Sequence, residues 1–374
     1  MANQTIFTAE GHYQALDRWL TDNHIHTLLL VCDTALPFLK IKDYFAGLHE
    51  RSGVKVVKFD GFHPNPLYES VVEGVALFRR EGCQAIAAVG GGSAIDVAKC
   101  IKLYCHMDDS RNYLEQTIIP NDVPLLAMPT TAGTGSEATR YAVIYYNGVK
   151  QSVTHESCIP SAVLMDSTAL VTLPLYQKKS TMLDALCHAL ESFWSVNSTD
   201  ESKAYSRAAM RLILTGRDGY LSGDPTACEG MLRAANLAGK AINITQTTAG
   251  HAMCYKLTSL YGIAHGHAAA LCDRALFPWM LQHLDNCIDG RGKAYLMRTF
   301  GEIAEAMGCE TAEEACEKFR AFVDTLELSV PAAQDGDYDI LRNAVNPTRL
   351  KNHPIALDGE TIDALYHQIL GENL

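Results

Sequence analysis

Between residues 26 and 104 the chain repeats one pattern three times: a short, unbroken apolar run, then a stretch with apolar residues at helical spacing. HTLLLVCD leads into LPFLKIKDYFAGLHERSG, VKVVKFDGF into PLYESVVEGVALFRREG, and CQAIAAVGGG into SAIDVAKCIKLY. A strand without polar alternation has no face to offer solvent, so it must be covered on both sides. Separating such strands with amphipathic helices points to a parallel sheet layered between helices. VPLLAMPT, AVIYYNG and AVLMDS read as further strands of the same half.

From Thr181 onward the strand pattern fades. STMLDALCHALESFWSV, DESKAYSRAAMRLILTGRDGYL, ACEGMLRAANLAGKAINITQ and GRGKAYLMRTFGEIAEAMG all space their apolar residues for helices. The change falls near LPLYQKKS, where a proline precedes the first long helical stretch. The expected architecture is an α/β N-terminal domain with a parallel sheet and dinucleotide-binding loops over residues 1–178, followed by an all-α metal-binding domain over 179–374. A length of 374 residues agrees with two domains at about 150 residues each.

Composition removes several function classes. A net charge of −12 argues against nucleic-acid or anionic-membrane surfaces, which need clustered Lys and Arg. No run approaches the ~20 apolar residues of a membrane span, and the first residues lack the basic-then-apolar signature of a secretory signal. The 12 cysteines are scattered, without a CxxC pair, and many lie in apolar runs. They read as small core residues of a reduced, cytoplasmic protein.

AAVGGGSAIDVAK sits where a strand hands over to a helix. Its glycines permit positive φ and close backbone approach, and a helix N-terminus there favours a pyrophosphate. It is neither GxGxxG nor a Walker loop, so taken alone it is equally a tight turn. A second loop, MPTTAGTGSEAT, follows another strand and is rich in small hydroxyls. Asp33, at the end of the first strand, suits ribose hydroxyls and repels a 2′-phosphate, or else serves as a turn cap. Together these features favour NAD(H) over NADP(H).

HAMCYKLTSLYGIAHGH places His251, His265 and His267 within 17 residues. In LDALCHALE, Asp184 and His188 are four apart and share one helical face. One carboxylate and three imidazoles (His188, His251, His265) suit Fe(II) or Zn(II) with room for a substrate oxygen. The plain alternative is a surface Asp–His pair and two unrelated histidines.

GGGSAIDVAK, PTTAGTGSEAT, DALCHALES and HAM…AHGHA, in this order and spacing, resemble the metal-dependent (iron-type, group III) alcohol dehydrogenase family. The resemblance spans nearly the whole chain and implies the same two-domain architecture. It implies Asp184, His188, His251 and His265 as ligands of one divalent metal ion, Fe or Zn. It places the cofactor loops at Gly90 to Asp96 and Thr130 to Thr134. Candidate NAD(H) contacts are therefore Gly90, Gly91, Gly92, Ser93, Asp96, Thr130, Thr131 and Thr134, with Asp33 and Asn65. Many family members carry a histidine one turn after the ligand matching His251, where this chain has Tyr255. Tyr255 and His267 are the catalytic candidates, with bound water and the cofactor ribose as alternative proton sources.

HAMCYKLTSLYGIAHGHA together with AVNPTRLKNHP resembles the branch that reduces sulfoacetaldehyde or phosphonoacetaldehyde. An anionic head group needs cations, and Arg140, Lys256 and Arg349 lie near the motif segments; each is equally readable as an ordinary surface charge. The expected reaction is NADH-dependent reduction of a small anionic aldehyde, sulfoacetaldehyde to isethionate, by a cytoplasmic homodimer. Alternatives are a phosphonoacetaldehyde reductase, a general short-chain primary alcohol dehydrogenase, a lyase resembling dehydroquinate synthase, and a non-enzymatic metal- or nucleotide-binding protein.

Overall fold

The computed structural model describes residues 4–371. The chain divides into two compact units, one formed by Met1–Leu173 with Gly223–Leu232 and the other by Pro174–Ser222 with Arg233–Leu374.

The first unit contains six parallel strands: β1 (Thr5–Thr8), β2 (Thr27–Cys32), β3 (Lys55–Phe59), β4 (Ala85–Gly90), β5 (Leu125–Pro129) and β8 (Ala162–Met165). Their order across the sheet is β1-β8-β5-β4-β2-β3. Successive residues of each central strand go to opposite faces, and both faces are buried. Leu29 and Val31 of β2, Ile86 and Ala88 of β4, and Leu125 and Ala127 of β5 pack into one core. Leu28, Leu30 and Cys32, with Ala85, Ala87 and Val89, and Leu126 and Met128, pack into the other. That division is the physical content of the unbroken apolar runs, each buried leucine being worth about 1.5–3 kcal/mol.

Two strands, Thr5–Thr8 and Val149–Thr154, escaped the sequence reading. TIFT is an edge strand of four residues, mostly exposed, so it carries little apolar signal. AVIYYNG does form a strand, β6 (Tyr141–Tyr146), but it pairs antiparallel with β7 (Val149–Thr154), outside the six-stranded sheet. Asn147 and Gly148 make the turn at φ 50 and 73. Two consecutive positive φ values mark a hairpin turn matched to strand twist, and NG is its sequence signal. LPFLKIKDYFAGLHERSG folds as three short helical pieces, Leu36–Phe38, Ile41–Ala46 and Leu48–Ser52.

The second unit is helical, with an isolated bridge between Cys287 and Ile355 as its extended pairing among the described residues. Its central helix, Leu175–Trp194, is buried along most of its length from Met182 to Trp194. The helices Ala249–Tyr261 and His265–Gln282 are separated by Gly262, whose φ of 66 ends the first of them. None of the 12 cysteines forms a disulfide, and ten are buried. No helix among the described residues is long and apolar enough to cross a membrane.

Two glycines test the packing in opposite directions. A Cβ at Gly74 would lie 2.3 Å from Ile101 Cδ1 and 3.1 Å from Phe59, whereas Gly301, exposed on the helix Lys293–Met307, meets nothing within 4 Å. Gly74→Ala should cost about 1–3 kcal/mol through overpacking. Gly301→Ala should gain about 0.5–1 kcal/mol from helix propensity. Thermal melts of the two variants check the pair, and a stabilised Gly74→Ala would contradict the packing described.

Candidate functional site

In the first unit, the chain runs from β2 to β3 on one side and returns to β4 on the other side of β2. Between β2 and β4 the direction of winding therefore reverses, and in open α/β sheets such a crevice is where ligands bind. Asp33 follows β2, and Gly91 to Ser93 follow β4. Asp33 Oδ2 accepts from Gly91 N at 3.1 Å and Oδ1 accepts from Ala35 N at 2.9 Å. Asp33 is thus a turn acceptor that also pins the glycine loop, while its carboxylate stays at the strand end.

The glycines of this loop serve close approach; positive φ, which the sequence reading also allowed, occurs at none of the three. A Cβ at Gly90 would lie 2.5 Å from Asp33 Oδ2, and one at Gly92 would lie 2.9 Å from Thr134 Cγ2. Thr131 stands 3.6 Å from the same position on Gly91, and Thr130 N donates to Gly90 O at 3.0 Å. The two loops are therefore packed edge to edge. The helix Gly92–Tyr104 begins here, leaving first-turn N–H groups without intrahelical acceptors beside half-buried Ser93. Asn65 lies exposed after β3 with φ 59.

Asp96 is occupied differently from the expectation. Its oxygens accept from Ser136 Oγ at 2.6 Å and from Val143 N at 2.9 Å, fastening the helix to the second loop. Burial raises its pKa, against the pull of Lys99. Lys99, which the sequence reading did not single out, is fully buried and donates to Ser136 Oγ, Thr139 O and Tyr141 O. The DVAK spacing held the signal: Asp96 and Lys99 are three apart on one helical face.

In the second unit, Asp184 and His188 project from one face of Leu175–Trp194, and His251 approaches from the first turn of Ala249–Tyr261. Ligand-type atoms of the three lie within 4.8 Å of one another, and all three residues are buried. His251 Nε2 stands 3.4 Å and His188 Nε2 3.9 Å from Asp184 Oδ1, with the two rings stacked at 4.4 Å. His265 lies one ring further out, its centroid 5.4 Å from that of His251. Burial opposes ionisation of Asp184, but the charges of His188, His251 and His265 hold it well below the usual carboxylate range. Burial opposes protonation of His251, but Glu191 and Asp184 push its pKa up to about 10 in the metal-free protein. A buried carboxylate oxygen and converging imidazole nitrogens are a donor set that fits a divalent transition metal.

The surroundings sort the remaining candidates. Tyr255 stacks on His265 at 5.3 Å and 20°, and its phenol is raised by burial, with Arg349 pulling the other way. Arg349 Nη1 donates to Thr247 Oγ1 at 3.3 Å, on the loop leading into the His251 helix. Asn352 anchors the same segment through Thr247 O at 3.1 Å. Lys256 is partly exposed next to Tyr255 in sequence. Arg140 belongs to the first unit and is paired with Glu156 at 2.7 Å. His267 is buried, its Nδ1 3.2 Å from Tyr176 Oη, and burial lowers its pKa to about 4. Sequence reasoning missed Glu191, whose buried carboxylate bonds the Nδ1 of His251. Its signal was its place in DALCHALE, three residues beyond His188 on the same face.

Comparison with known proteins identifies relatives of this chain. A family model described as iron-containing alcohol dehydrogenase matches residues 3–167, and one for the C-terminal part of the Fe-containing alcohol dehydrogenase family matches residues 178–370. The chain is 33% identical to 1,3-propanediol dehydrogenase of Klebsiella pneumoniae, over 82% of this chain and 79% of that one. It is 31% identical to phosphonoacetaldehyde reductase of Streptomyces viridochromogenes, over 74% of each. Among solved structures, sulfoacetaldehyde reductase of Bifidobacterium kashiwanohense in complex with NAD+ superposes with a TM-score of 0.82 at 24% identity, covering 100% of this chain and 98% of that one.

A glycine allows the helix carrying His265 to press against the helix carrying Asp184. A Cβ at Gly266 would lie 2.1 Å from Ser180 O and 2.6 Å from Asp184 Cβ. Gly266→Ala should therefore cost about 1–3 kcal/mol by forcing the helices apart, and should weaken Co(II) binding about tenfold or more by moving Asp184. Thermal melts and Co(II) titration check both; an unmoved Co(II) affinity would mean Asp184 is not held from this side.

Proposed function

The chain belongs to the iron-containing alcohol dehydrogenase family, an oxidoreductase family, and we propose that it reduces a small anionic aldehyde with NADH, sulfoacetaldehyde to isethionate being the favoured pair. The observation that carries this reading is the buried convergence of Asp184, His188 and His251, with Tyr255 stacked on His265 and Arg349 bonded to Thr247 on the loop leading into the His251 helix. The proposed ligands of the divalent ion are Asp184, His188, His251 and His265. Such an ion supplies Lewis acidity toward a carbonyl, and NADH supplies the reducing equivalents.

The chain's own residues do the remaining work. Asp184 offers a carboxylate oxygen and the imidazoles offer nitrogens, converging in a buried site, to a cation. Tyr255 covers His265 and limits water there, and its raised pKa keeps the phenol protonated at neutral pH, as a proton donor must be. Tyr255 is favoured over His267, which burial keeps neutral and which is engaged with Tyr176. Arg349 is the proposed receiver of the anionic head, since a sulfonate entering a cleft must exchange its hydration for a charged hydrogen-bond donor. With Arg140 paired to Glu156, a single well-placed guanidinium suits a monoanionic sulfonate better than a phosphonate, which carries up to two charges. The Streptomyces relative named for phosphonoacetaldehyde and the structural neighbour named for sulfoacetaldehyde support the anionic class. NAD(H) is supported by the Asp33 carboxylate at the switch point, and by that neighbour's complex with NAD+.

Two measurements test this. Steady-state NADH oxidation with sulfoacetaldehyde, phosphonoacetaldehyde, glycolaldehyde and propanal should give the highest kcat/KM for sulfoacetaldehyde. Arg349→Met should raise its KM about tenfold or more while leaving propanal within about twofold, the loss of one charge-assisted hydrogen bond. Equal efficiency on propanal and both anionic aldehydes would make the chain a general short-chain alcohol dehydrogenase. Separately, Asp33→Asn keeps an acceptor oxygen for Ala35 N and removes the charge. It should shift the NADPH-to-NADH ratio of kcat/KM toward NADPH by about 1–3 kcal/mol. An unchanged ratio would leave Asp33 as a turn acceptor alone.

A further inference from the structure

Behind the proposed metal cluster lies a carboxylate that the ligand reading does not use. Glu191 is fully buried, in the same helix as Asp184 and His188. One of its oxygens, Oε1, accepts from His251 N at 3.0 Å and is also bonded to His251 Nδ1. The other, Oε2, accepts from Thr248 Oγ1 at 2.6 Å and from Thr248 N. Thr248 is the residue from which the helix Ala249–Tyr261 starts, and His251 lies in that helix's first turn. No side chain within this helix caps its N-terminus; Glu191 fills that role from a neighbouring helix. Thr248 Oγ1 is itself oriented, because Trp194 Nε1 donates to it at 2.9 Å.

The consequence is geometric. A backbone amide and the imidazole of one residue are bound to the same carboxylate oxygen, so the ring cannot turn without breaking a bond that also fixes the helix. A hydrogen on Nδ1 pointing at Glu191 leaves Nε2 as the donor atom, and Nε2 is the nitrogen facing Asp184 Oδ1 at 3.4 Å. Asp273 packs against the other side. A Cβ at Gly250 would lie 2.0 Å from Asp273 Oδ1 and 2.8 Å from Glu191 Oε1, so the two carboxyl groups crowd the glycine beside His251. Burial, then the neighbouring Glu191, raises Asp273 well above its ordinary pKa.

We propose that Glu191 is a positioning residue for the metal centre: through its paired bonds to His251 N and Nδ1 and to Thr248, it fixes the tautomer and aim of His251 and so sets the metal affinity. This rests on the assignment of His251 as a ligand. A glutamine in its place has one acceptor oxygen and one amide donor, and cannot serve donors on both sides.

The test strips the full-length protein of metal and titrates Co(II) against a chromophoric chelator, recording the visible spectrum of the saturated protein. Wild type, His251→Ala, Glu191→Gln, Thr248→Val and Thr248→Ser are compared. Glu191→Gln should bind Co(II) about 10–100-fold more weakly, with an altered spectrum at saturation. Thr248→Val, which deletes one hydroxyl donor to Glu191, should lose severalfold, and Thr248→Ser should stay at the wild-type value. A role limited to capping the helix would lower the melting temperature of Glu191→Gln but leave affinity and spectrum unchanged, and that result overturns the proposal. If Glu191→Gln does not fold, the Thr248 pair decides: equal Co(II) affinity in Thr248→Val and Thr248→Ser overturns it. A wild-type affinity in His251→Ala would instead defeat the ligand assignment, which separates the two failures.

Discussion

The second unit is organised around the cost of putting Asp184, with 3% of its surface exposed, in the middle of a 20-residue helix. A buried carboxylate without compensation loses several kcal/mol of hydration, and neutralising it by protonation is the usual escape. Here imidazoles from its own helix and from the start of a second helix close on it instead, and His265 heads a third. Meeting that demand requires helices at unusually short distance, and glycines stand where they meet: Gly266 over Ser180 and Asp184, Gly250 against Asp273 and Glu191. The carboxylate's need for partners thus dictates which residues can occupy the helix contacts around it.

The first unit solves a related problem with backbone rather than side-chain charge. Its two loops carry small residues because they lie against one another, Gly92 on Thr134 and Gly91 on Thr131. Asp33, Asp96 and Lys99 hold the loops in register from beneath. Half-buried Gly91, Gly92, Ser93, Thr131 and Thr134 leave amides and hydroxyls that can meet phosphate oxygens without any cation of their own. In each unit a fully buried charge, Lys99 in the first and Glu191 in the second, helps to hold the proposed ligand-contacting residues in place.

How much of this could be read from the sequence follows from the range of the interactions. The central strands and the long helices were legible because periodicity is local. The Asp184–His188 pair was legible because four residues make one turn. Convergence of His251 on that pair was suggested by residue chemistry and by resemblance, since nothing in HAMCYK reports a contact 67 positions away. Glu191 was passed over because a glutamate in a helix usually faces water, and only tertiary placement shows four donors around it. β7, the partner of β6, was missed for the opposite reason. Its turn signal, Asn147-Gly148, was local and present, but the apolar run before it outweighed the signal. β1 went unseen because an exposed strand of four residues differs little from a loop until its neighbour is known.

That neighbour is β8, with Thr5 opposite Ala162 and Thr8 opposite Met165. The pairing joins the two ends of the sheet-forming sequence, so during synthesis the first strand leaves the ribosome long before the one that receives it. Translation at about 5–20 residues per second leaves it waiting for roughly ten seconds or more. Once β5 has been made, its edge is open as well until β8 follows, because it also borders β8. The shortness of TIFT suits a segment that must wait unpaired: four residues offer little edge on which another nascent chain could pair, yet they can cover the open side of β8 once it arrives.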